Sequence, residues 1–456
     1  MSIIGEALLV GGSSSVGNDV IFYDYDGTIV RSYSKAEFLS LSAMPSNPSH
    51  TGLTAQGWNW SLSDAKTYVA AYDRLNIGQM YITDDGKTRI YVRIEAGQRD
   101  WGVGFELNGT VTIDWGDQST PDTATATYND GMGWPWHTYS APGDYVVSID
   151  VTGEFRFGEG SFSPDMSTAL NTSVTKIEIG DNCNVEGNGA FCYCGRLSSI
   201  TIPMGAEEFP YMTFFCCYSL RYITIPTGVQ YLGESVFWAC YSLETISMPN
   251  TVQALGHQCF IDCYSLRFLT IPTSMLGFDS GALSGCHSLN YITDLSFLQG
   301  INSGAFAGCR ALKSVSIPST IEDSCFSGCT TLARVTIGDD RGSLMTLGTN
   351  IFSDCVSLRS FTIPDSVTYI GEGAFARSGI ESITIPANVT GIGPDAFAYT
   401  SLGEIHFLPT TPPTAGNYAF SGIPAYCVIY VPTGSLSAYT SASNYPPANT
   451  YRYIEE

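Results

Sequence analysis

A single pattern, Phe-x-x-Cys-x-Ser-Leu-x-x-Ile-Thr-Ile-Pro, returns from Phe191 to the C-terminus and constrains this chain more than any other feature. A unit of this size cannot bury its own apolar residues, so the units must stack on one another. The sequence therefore predicts a mainly β solenoid of about 11 repeats with a period of 23 residues, whose function lies on an exposed face. The aromatic or apolar anchors of the pattern are Phe191, Phe214, Phe237, Phe260, Leu283, Phe306, Phe326, Phe352, Phe375, Phe397 and Phe420.

Each unit divides into two halves with different patterns. The Leu-x-x-Ile-x-Ile half alternates with the period of a β-strand, as at Leu220, Ile223 and Ile225. Pro226 follows directly and marks the end of the strand, because proline has no N–H to donate. The other half, Val-x-x-Ile-Gly-x-x-Ala-Phe, carries a glycine where the chain turns. We therefore expect one strand per repeat in a parallel sheet, with a short turn or helical turn completing the unit.

The repeat resembles the leucine-rich repeat of the BspA-like family of bacterial surface proteins, which has the same Ala-Phe-x-x-Cys-x-Ser-Leu-x-x-Ile-x-Ile-Pro order. The resemblance covers residues 183–440. It implies a right-handed leucine-rich-repeat solenoid of the kind found in adhesins and interaction proteins, with no motif for chemistry. Residues 425–439 are similar to the closing segment of that family, which caps the last strand.

Composition and charge limit the classes of partner. The chain has 456 residues, of which 44% are hydrophobic and 14% charged, and this suits several folded domains. Its formal net charge of −23 disfavours nucleic acids and anionic membrane surfaces. No apolar run is long enough to span a membrane, and the N-terminus lacks the features of a signal peptide. We therefore expect cytosolic synthesis, with residues 1–19 as a Gly/Ser-rich leader or attachment segment.

The cysteines follow the repeat. Eight of the 14 occupy one repeat position, which predicts a buried column of reduced thiols: Cys194, Cys217, Cys240, Cys263, Cys286, Cys309, Cys329 and Cys355. Four more lie outside this column and could pair with neighbours: Cys192, Cys216, Cys259 and Cys325. His257, Cys259 and Cys263 suggest zinc, but no second ligand pair has finger spacing. We expect no metal and no cofactor.

Residues 87–157 have the pattern of a small β-sandwich, with strands predicted over 88–95, 109–114 and 143–151. The motif Trp115-Gly-Asp117, followed by His137-Thr-Tyr139 and Pro-Gly-Asp-Tyr145, resembles the PKD domain. The resemblance implies that Trp115 and Tyr145 are core residues and that Asp117 forms a turn. Gln118 stands where that family usually has glycine. Such domains serve as spacers or binding modules in extracellular and virion proteins.

Residues 20–86 contain a motif with two possible meanings. Asp24-Tyr-Asp26-Gly-Thr fits the first motif of haloacid-dehalogenase phosphatases, in which Asp24 would be the nucleophile and Asp26 the acid/base. That chemistry needs a doubly wound α/β domain, and the sequence that follows is rich in β-strands instead. A hairpin with an Asp26-Gly27 turn fits better. Residues 20–60 are similar to the ubiquitin-like B-repeat of internalin-type proteins, with a helix appended over 61–74 and capped by Ser61.

Candidate binding residues lie on the repeats. Tyr218, Tyr241 and Tyr264, followed by His287 and Arg310, occupy the position after the cysteine. Tyr222, Phe268 and Tyr291 form a neighbouring column. Stacked aromatic rings offer rigid amphipathic area to a sugar or a protein, although they could also pack against an adjacent coil. A ladder of predominantly hydroxyl residues is predicted on the exposed side of the strands, which suits binding or simply a parallel strand: Thr201, Thr224, Ser247, Thr270, Thr293, Ser316, Thr336, Thr362, Thr384 and His406.

The order of the pieces indicates a function. The predicted domains are 1–19, 20–86, 87–157, a linker or N-terminal cap at 158–182, the repeats at 183–440, and a tail or cap at 441–456. This order resembles tail-associated proteins of phages and prophages from gut bacteria. We expect a non-enzymatic virion protein that contacts other tail proteins through its N-terminal modules, with possible homo-oligomers, and a host glycan or protein through its repeats. A secreted BspA-type adhesin and a purely structural tail or decoration protein remain alternatives.

Overall fold

The computed structural model describes residues 19–126, 135–158, 173–181, 183–185, 187–338 and 346–456. Within these residues the chain is mainly β and forms a solenoid of about 12 turns with a period of about 23 residues. The predicted mainly β repeat solenoid is confirmed, and the family resemblances of the two N-terminal modules stay predictions. The predicted leader, apart from Asp19, lies outside the described residues.

A four-stranded sheet and two helices form the N-terminal module, residues 20–83. The predicted hairpin is present, and Gly27 at its turn has a φ of 86°, a conformation that favours glycine. The predicted helix begins after Ser61, whose hydroxyl accepts a hydrogen bond from Asp64 N. β1 pairs with β2 and β4, and β4 also pairs with β3. The elements are β1 Val20–Tyr23, β2 Ile29–Tyr33, α1 Lys35–Ser40, β3 Leu53–Trp58, α2 Leu62–Tyr72 and β4 Leu75–Thr83.

A second β module follows at residues 87–158, and it contains all three predicted strands, as β5, β7 and β10. Trp115 is fully buried and Tyr145 is half-buried. Gln118 has a φ of 69°, which explains why a glycine suits its position. The resemblance to the PKD domain stays a prediction. The strands are β5 Thr88–Ile94, β6 Asp100–Gly102, β7 Glu106–Asp114, β8 Asp122–Ala126, β9 Trp136–Thr138 and β10 Gly143–Arg156.

The second module continues directly into the solenoid. β5 pairs with β11, Val174–Glu178, and β11 pairs in parallel with β13, Ser199–Ile200. β12, Cys183–Asn184, pairs with the end of β10. One hydrophobic core extends from Ile90 to Tyr439, so this module covers the first turn of the solenoid. Residues 159–172 and 182 of the predicted linker lie outside the described residues.

Most of the described solenoid turns contribute a strand to a parallel ladder in each half of the repeat, and the prediction of one strand per repeat was wrong. The front strands, in the Leu-x-x-Ile-x-Ile half, are β13, β15 Tyr222–Thr224, β17 Thr245–Ser247, β19 Phe268–Leu269, β21 Tyr291–Ile292, β23 Ser314–Ile317, β24 Arg334–Ile337, β27 Ser382–Ile385 and β29 Glu404–Phe407. The rear strands are β14 Glu208–Phe209, β16 Tyr231–Leu232, β18 Ala254–Leu255, β20 Gly277–Phe278, β22 Gly300–Ile301, β25 Thr346–Leu347, β26 Tyr369–Ile370, β28 Gly391–Ile392 and β30 Thr414–Ala415.

The repeat glycine explains the rear ladder. A Cβ added at Gly256 would lie 2.6 Å from the carbonyl carbon of Gly233, so only glycine lets these neighbouring turns approach so closely. Inside the solenoid, the anchor phenylalanines stack in two runs, with ring centroids between 5.1 and 5.8 Å apart. The two runs meet at Leu283. This aromatic column forms the centre of the core.

The C-terminal segment closes the solenoid. β31, Val428–Val431, lies between β29 and β32, Arg452–Glu455, so the last strand of the sheet comes from the segment predicted as a tail or cap. The helix α3, Leu436–Ser441, precedes it. Tyr439 and Tyr445 then pack on Phe407, with ring centroids 5.0 and 5.5 Å away, and cover the end of the core.

Candidate recognition surface

Four of the predicted binding residues form one exposed array, which we call the ring column: Tyr218, Tyr241, Tyr264 and His287. Their ring centroids lie 5.1, 5.0 and 4.8 Å apart in sequence order, and adjacent planes differ by at most 14°. The three tyrosines are 39%, 40% and 38% exposed. The repeat sets this geometry, because equivalent positions of adjacent turns lie one strand spacing apart.

Stacking decides which parts of the rings are free. The inner faces contact each other, so the column presents ring edges and hydroxyl groups to solvent. At one end, Gly195 lies so close to Tyr218 that an added Cβ would be 3.0 Å from its ring. At the other end, burial and the charge of Arg310 lower the pKa of His287, which favours its neutral form. The ring column is therefore a rigid amphipathic strip rather than an open platform for a sugar ring.

The second predicted column lies against the N-terminal module, and Tyr222 within it is not exposed as predicted. Tyr222 is buried and stacks on Tyr23 of the N-terminal module at 4.8 Å. Tyr291 donates its hydroxyl hydrogen to Tyr72 O at 3.3 Å. The Arg74 guanidinium lies 4.8 Å from the Tyr291 ring centroid and 5.8 Å from that of Phe268. These three rings are covered or flanked by the N-terminal module.

The contact between the N-terminal module and the front strands separates the hydroxyl ladder into a buried half and an accessible half. Thr201, Thr224, Ser247, Thr270 and Thr293 are buried, contrary to the expectation that the whole ladder is exposed. The other positions are exposed or half-buried: Ser316, Thr336, Thr362, Thr384 and His406. The first half of the front face is therefore occupied within the molecule, whereas the second half is accessible.

Side chains of the N-terminal module reach the backbone of the front strands. Asn59 Nδ2 donates to Ile225 O at 3.0 Å and to Ser247 O at 3.1 Å. Trp60 Nε1 donates to Met248 O, and the Tyr68 hydroxyl donates to Ile271 O, each at 2.8 Å. All three side chains are buried. These bonds fix the module on the solenoid, because breaking them would leave buried polar groups without partners.

Comparison with known proteins gives the family. The model of the "BspA type Leucine rich repeat region" matches residues 167–290 and 299–426, in 6 copies. The chain belongs to the BspA-type leucine-rich repeat family. Proteins of this family are typically found at the cell surface or outside the cell, and leucine-rich-repeat proteins are generally non-enzymatic binding scaffolds. No curated protein matches the chain.

Several solved structures resemble the chain. A leucine-rich repeat protein from Bacteroides ovatus is 25% identical, with 70% of this chain and 90% of that one covered and a TM-score of 0.46. A leucine rich cell surface protein from Faecalibacterium prausnitzii is 23% identical, with coverages of 57% and 84% and a TM-score of 0.37. The pneumococcal vaccine antigen PcpA is 16% identical, with coverages of 68% and 85% and a TM-score of 0.44.

The cysteines are free thiols throughout. All 14 are buried, including the four that the sequence left open to pairing. In the column, Cys240 Sγ donates to Phe214 O at 3.2 Å, and Cys263 Sγ donates to Phe237 O at 3.1 Å. Burial raises the pKa of Cys427 to about 11 and that of Cys355 to about 12. No group of three or more potential metal ligands occurs among the described residues.

The two acids of the phosphatase-like motif have structural partners. Asp24 Oδ2 lies 2.7 Å from His50 Nε2, and Asp24 is buried. Asp26 Oδ1 accepts a hydrogen bond from Thr28 N within the hairpin turn. The surrounding sheet mixes parallel and antiparallel pairs and is not a doubly wound α/β domain. This geometry agrees with the hairpin interpretation. In the described part of the chain, no helix has the length and apolar character needed to cross a membrane.

Proposed function

We propose that the protein is a non-enzymatic recognition protein that binds a partner protein on a host surface through the ring column. The observation that carries this proposal is the regular exposed stack of Tyr218, Tyr241, Tyr264 and His287. Tyrosine is enriched at protein interfaces because it combines a large apolar area with a hydroxyl group. Since the packed solenoid already orders the rings, binding costs little side-chain entropy.

The exposed edges favour a protein over a neutral sugar. A sugar that stacks on an aromatic side chain needs an open ring face, and the column offers few such faces. A protein surface can instead pack between ring edges and hydrogen-bond to the hydroxyl groups. Arg310, which follows His287 in the same repeat position, adds a positive charge at one end of the strip.

We propose the tail of a phage or prophage particle as the setting, with the N-terminal modules also available for contacts with other virion proteins. The order of the modules supports this location. Membership in a family of mainly surface and extracellular proteins favours the bacterial cell surface as a second setting. Detection of the chain in purified particles by mass spectrometry supports the first setting. Surface labelling on intact bacteria that release no particles would exclude it.

The binding test uses the full chain with a fluorescent label on whole bacterial cells. We expect saturable binding, which the combined substitutions Tyr218→Ser, Tyr241→Ser and Tyr264→Ser weaken at least about tenfold, because central aromatic residues carry most of an interface's energy. The matched control replaces three other exposed tyrosines, Tyr399, Tyr418 and Tyr426, with serine. Equal losses in both variants would rule out the ring column as the binding site, and no binding by the folded protein to any candidate host would favour a purely structural role.

A further inference from the structure

One position in the front-strand column beneath the N-terminal module lacks an aromatic ring. The column passes in register through Tyr222, Thr245, Phe268 and Tyr291 on four consecutive strands. Phe268 and Tyr291 stack at 4.9 Å, whereas Thr245 stands on the other side of Phe268. Adjacent strands lie about 4.8 Å apart, so a threonine in place of a ring leaves a slot beside Phe268. Tyr23 of the N-terminal module, which stacks on Tyr222, also lines this slot.

The slot opens into a cleft of about 270 Å³ between the N-terminal module and the solenoid. Ligand pockets commonly measure about 300–1,000 Å³, so this cleft suits a single ring. Asn76 Nδ2 donates a hydrogen bond to Thr245 Oγ1 at 2.6 Å and so holds the Thr245 side chain in place at the base of the cleft. Both parts of the molecule contribute to the lining: Ile21, Tyr23 and Arg74 from the module, and Glu244, Thr245, Arg267 and Phe268 from the solenoid.

The cleft is positively charged although the chain is strongly acidic. Arg74 and Arg267 line it, and neither has a carboxylate partner within ion-pair distance in the described part of the chain. Glu244 is already paired with Arg221 at 2.5 Å. Two acids near Tyr291 are engaged elsewhere, because Asp73 pairs with Lys35 Nζ at 2.6 Å and Asp19 accepts from Lys35 N at 2.9 Å. Two guanidinium groups therefore remain for an anionic ligand.

We propose that this cleft binds a sugar acid, meaning a pyranose ring that carries a carboxylate. The carboxylate accepts hydrogen bonds from Arg74 and Arg267, and the apolar face of the pyranose packs on Phe268. Glu244 accepts a hydrogen bond from a ring hydroxyl. An acidic peptide side chain would use the arginines but would leave the aromatic slot empty, which favours the sugar. The site is separate from the ring column and goes beyond the protein recognition proposed for it.

Calorimetric titration of the full chain tests the proposal with two sugar acids, the methyl glycosides of glucuronic acid and N-acetylneuraminic acid. The uncharged control ligand is methyl β-glucoside, which has a pyranose ring without a carboxylate. We expect at least one acid to bind at least about tenfold more tightly than the neutral ring, because its carboxylate forms charge-assisted hydrogen bonds that the neutral ring lacks. Arg74→Gln and Arg267→Gln should each weaken that binding by a similar factor. Arg334→Gln should leave it unchanged, because Arg334 lies on a different front strand and has no ion-pair partner among the described residues.

Three results would overturn the proposal: no binding of either acid, equal binding of the neutral ring, or equal binding of N-acetylaspartate amide as an acidic-peptide probe. Arg267→Gln keeps the test valid if Arg74→Gln disturbs the docked module, since Arg267 belongs to the solenoid. The two proposals can fail separately. Loss of cell binding in the triple tyrosine variant, together with sugar titrations that show no binding, would leave protein recognition standing and remove the sugar site.

Discussion

Replacement of Asn59 with alanine should release the N-terminal module from the front strands. Asn59 is 1% exposed and makes four hydrogen bonds across or beside the interface. Its Nδ2 donates to Ile225 O and Ser247 O, and its Oδ1 accepts from Gly78 N at 2.8 Å and Ser247 Oγ at 3.1 Å. The single hydroxyl hydrogen of Ser247 is shared between Asn59 Oδ1 and Asn76 O, and Ser247 O also accepts from Ile225 N, so Ser247 keeps partners when Asn59 is replaced.

The magnitude follows from the groups that lose their hydrogen bond to the Asn59 side chain. Two buried groups, Ile225 O and Gly78 N, lose this hydrogen bond. Each buried polar group left without a partner lowers the free energy of unfolding by about 1–3 kcal/mol. With two such groups and a small term for the lost side-chain volume, we expect Asn59→Ala to lower the free energy of unfolding by about 2–6 kcal/mol. The module has its own core around Phe22 and Phe38, so it should undock before it unfolds.

Urea unfolding and hydrogen–deuterium exchange measure the two parts of this prediction. Exchange should accelerate in residues 222–224 and 245–247, where the module covers the front strands. Asn388→Ala is the matched control, because exposed Asn388 makes one hydrogen bond, to Asp365 O. It should change stability by less than about 0.5 kcal/mol. A similarly small change in Asn59→Ala, with unaltered exchange, would refute the reasoning that buried hydrogen bonds hold the module in place.

Two further predictions concern close packing and the thiols. Gly78→Ala should lower the free energy of unfolding by about 2–3 kcal/mol and accelerate hydrogen exchange in β15, because the added Cβ would lie 2.2 Å from Thr224 Oγ1. Gly97→Ala is the control, because the space around Gly97 is open. Equal stability of the two variants would contradict the packing argument. Burial raises the pKa of Cys427 to about 11 and that of Cys355 to about 12, above the ordinary thiol value of 9.0. As the pH rises, the thiols of the unfolded chain therefore lose their protons before those of the folded chain. The free energy of unfolding should fall as the pH rises from about 9 towards 12. Urea midpoints across this range test the pH effect, and a midpoint that is constant to pH 11 would argue against it.

The repeat made the solenoid predictable, because a period of 23 residues with one buried leucine and two buried isoleucines fixes both the stacking and the front strands. The rear strands were not predicted because they are short. A strand of two residues, such as Tyr231–Leu232, cannot show the alternation of buried and exposed positions that marks a β-strand. The signal that could have revealed them is the glycine that follows a leucine or isoleucine in this half of the repeat, since Gly256 lies against the backbone of Gly233. Close approach of successive turns requires glycine there.

The covered half of the front face could not be predicted from the repeat. Asn59, Trp60 and Tyr68 contact residues 166 to 203 positions away, and nothing in the repeat marks Thr224 or Ser247 as different from Thr362 or Thr384. The stacking of the ring column was easier to predict from the sequence, because Tyr218, Tyr241 and Tyr264 occur one period apart and nothing in the described chain covers them. Long-range docking, which local patterns do not encode, accounts for the difference.

Hydroxyl-radical footprinting of the full chain, free and bound to cells, tests the recognition account most directly. Oxidation of Tyr218, Tyr241, Tyr264 and His287 should slow on binding, because a partner that seats on the ring column excludes solvent from these rings. Tyr399, Tyr418 and Tyr426, which are 63%, 69% and 73% exposed, should react at the same rate in both states. Protection of the latter three residues with unchanged oxidation of the ring column would contradict the account.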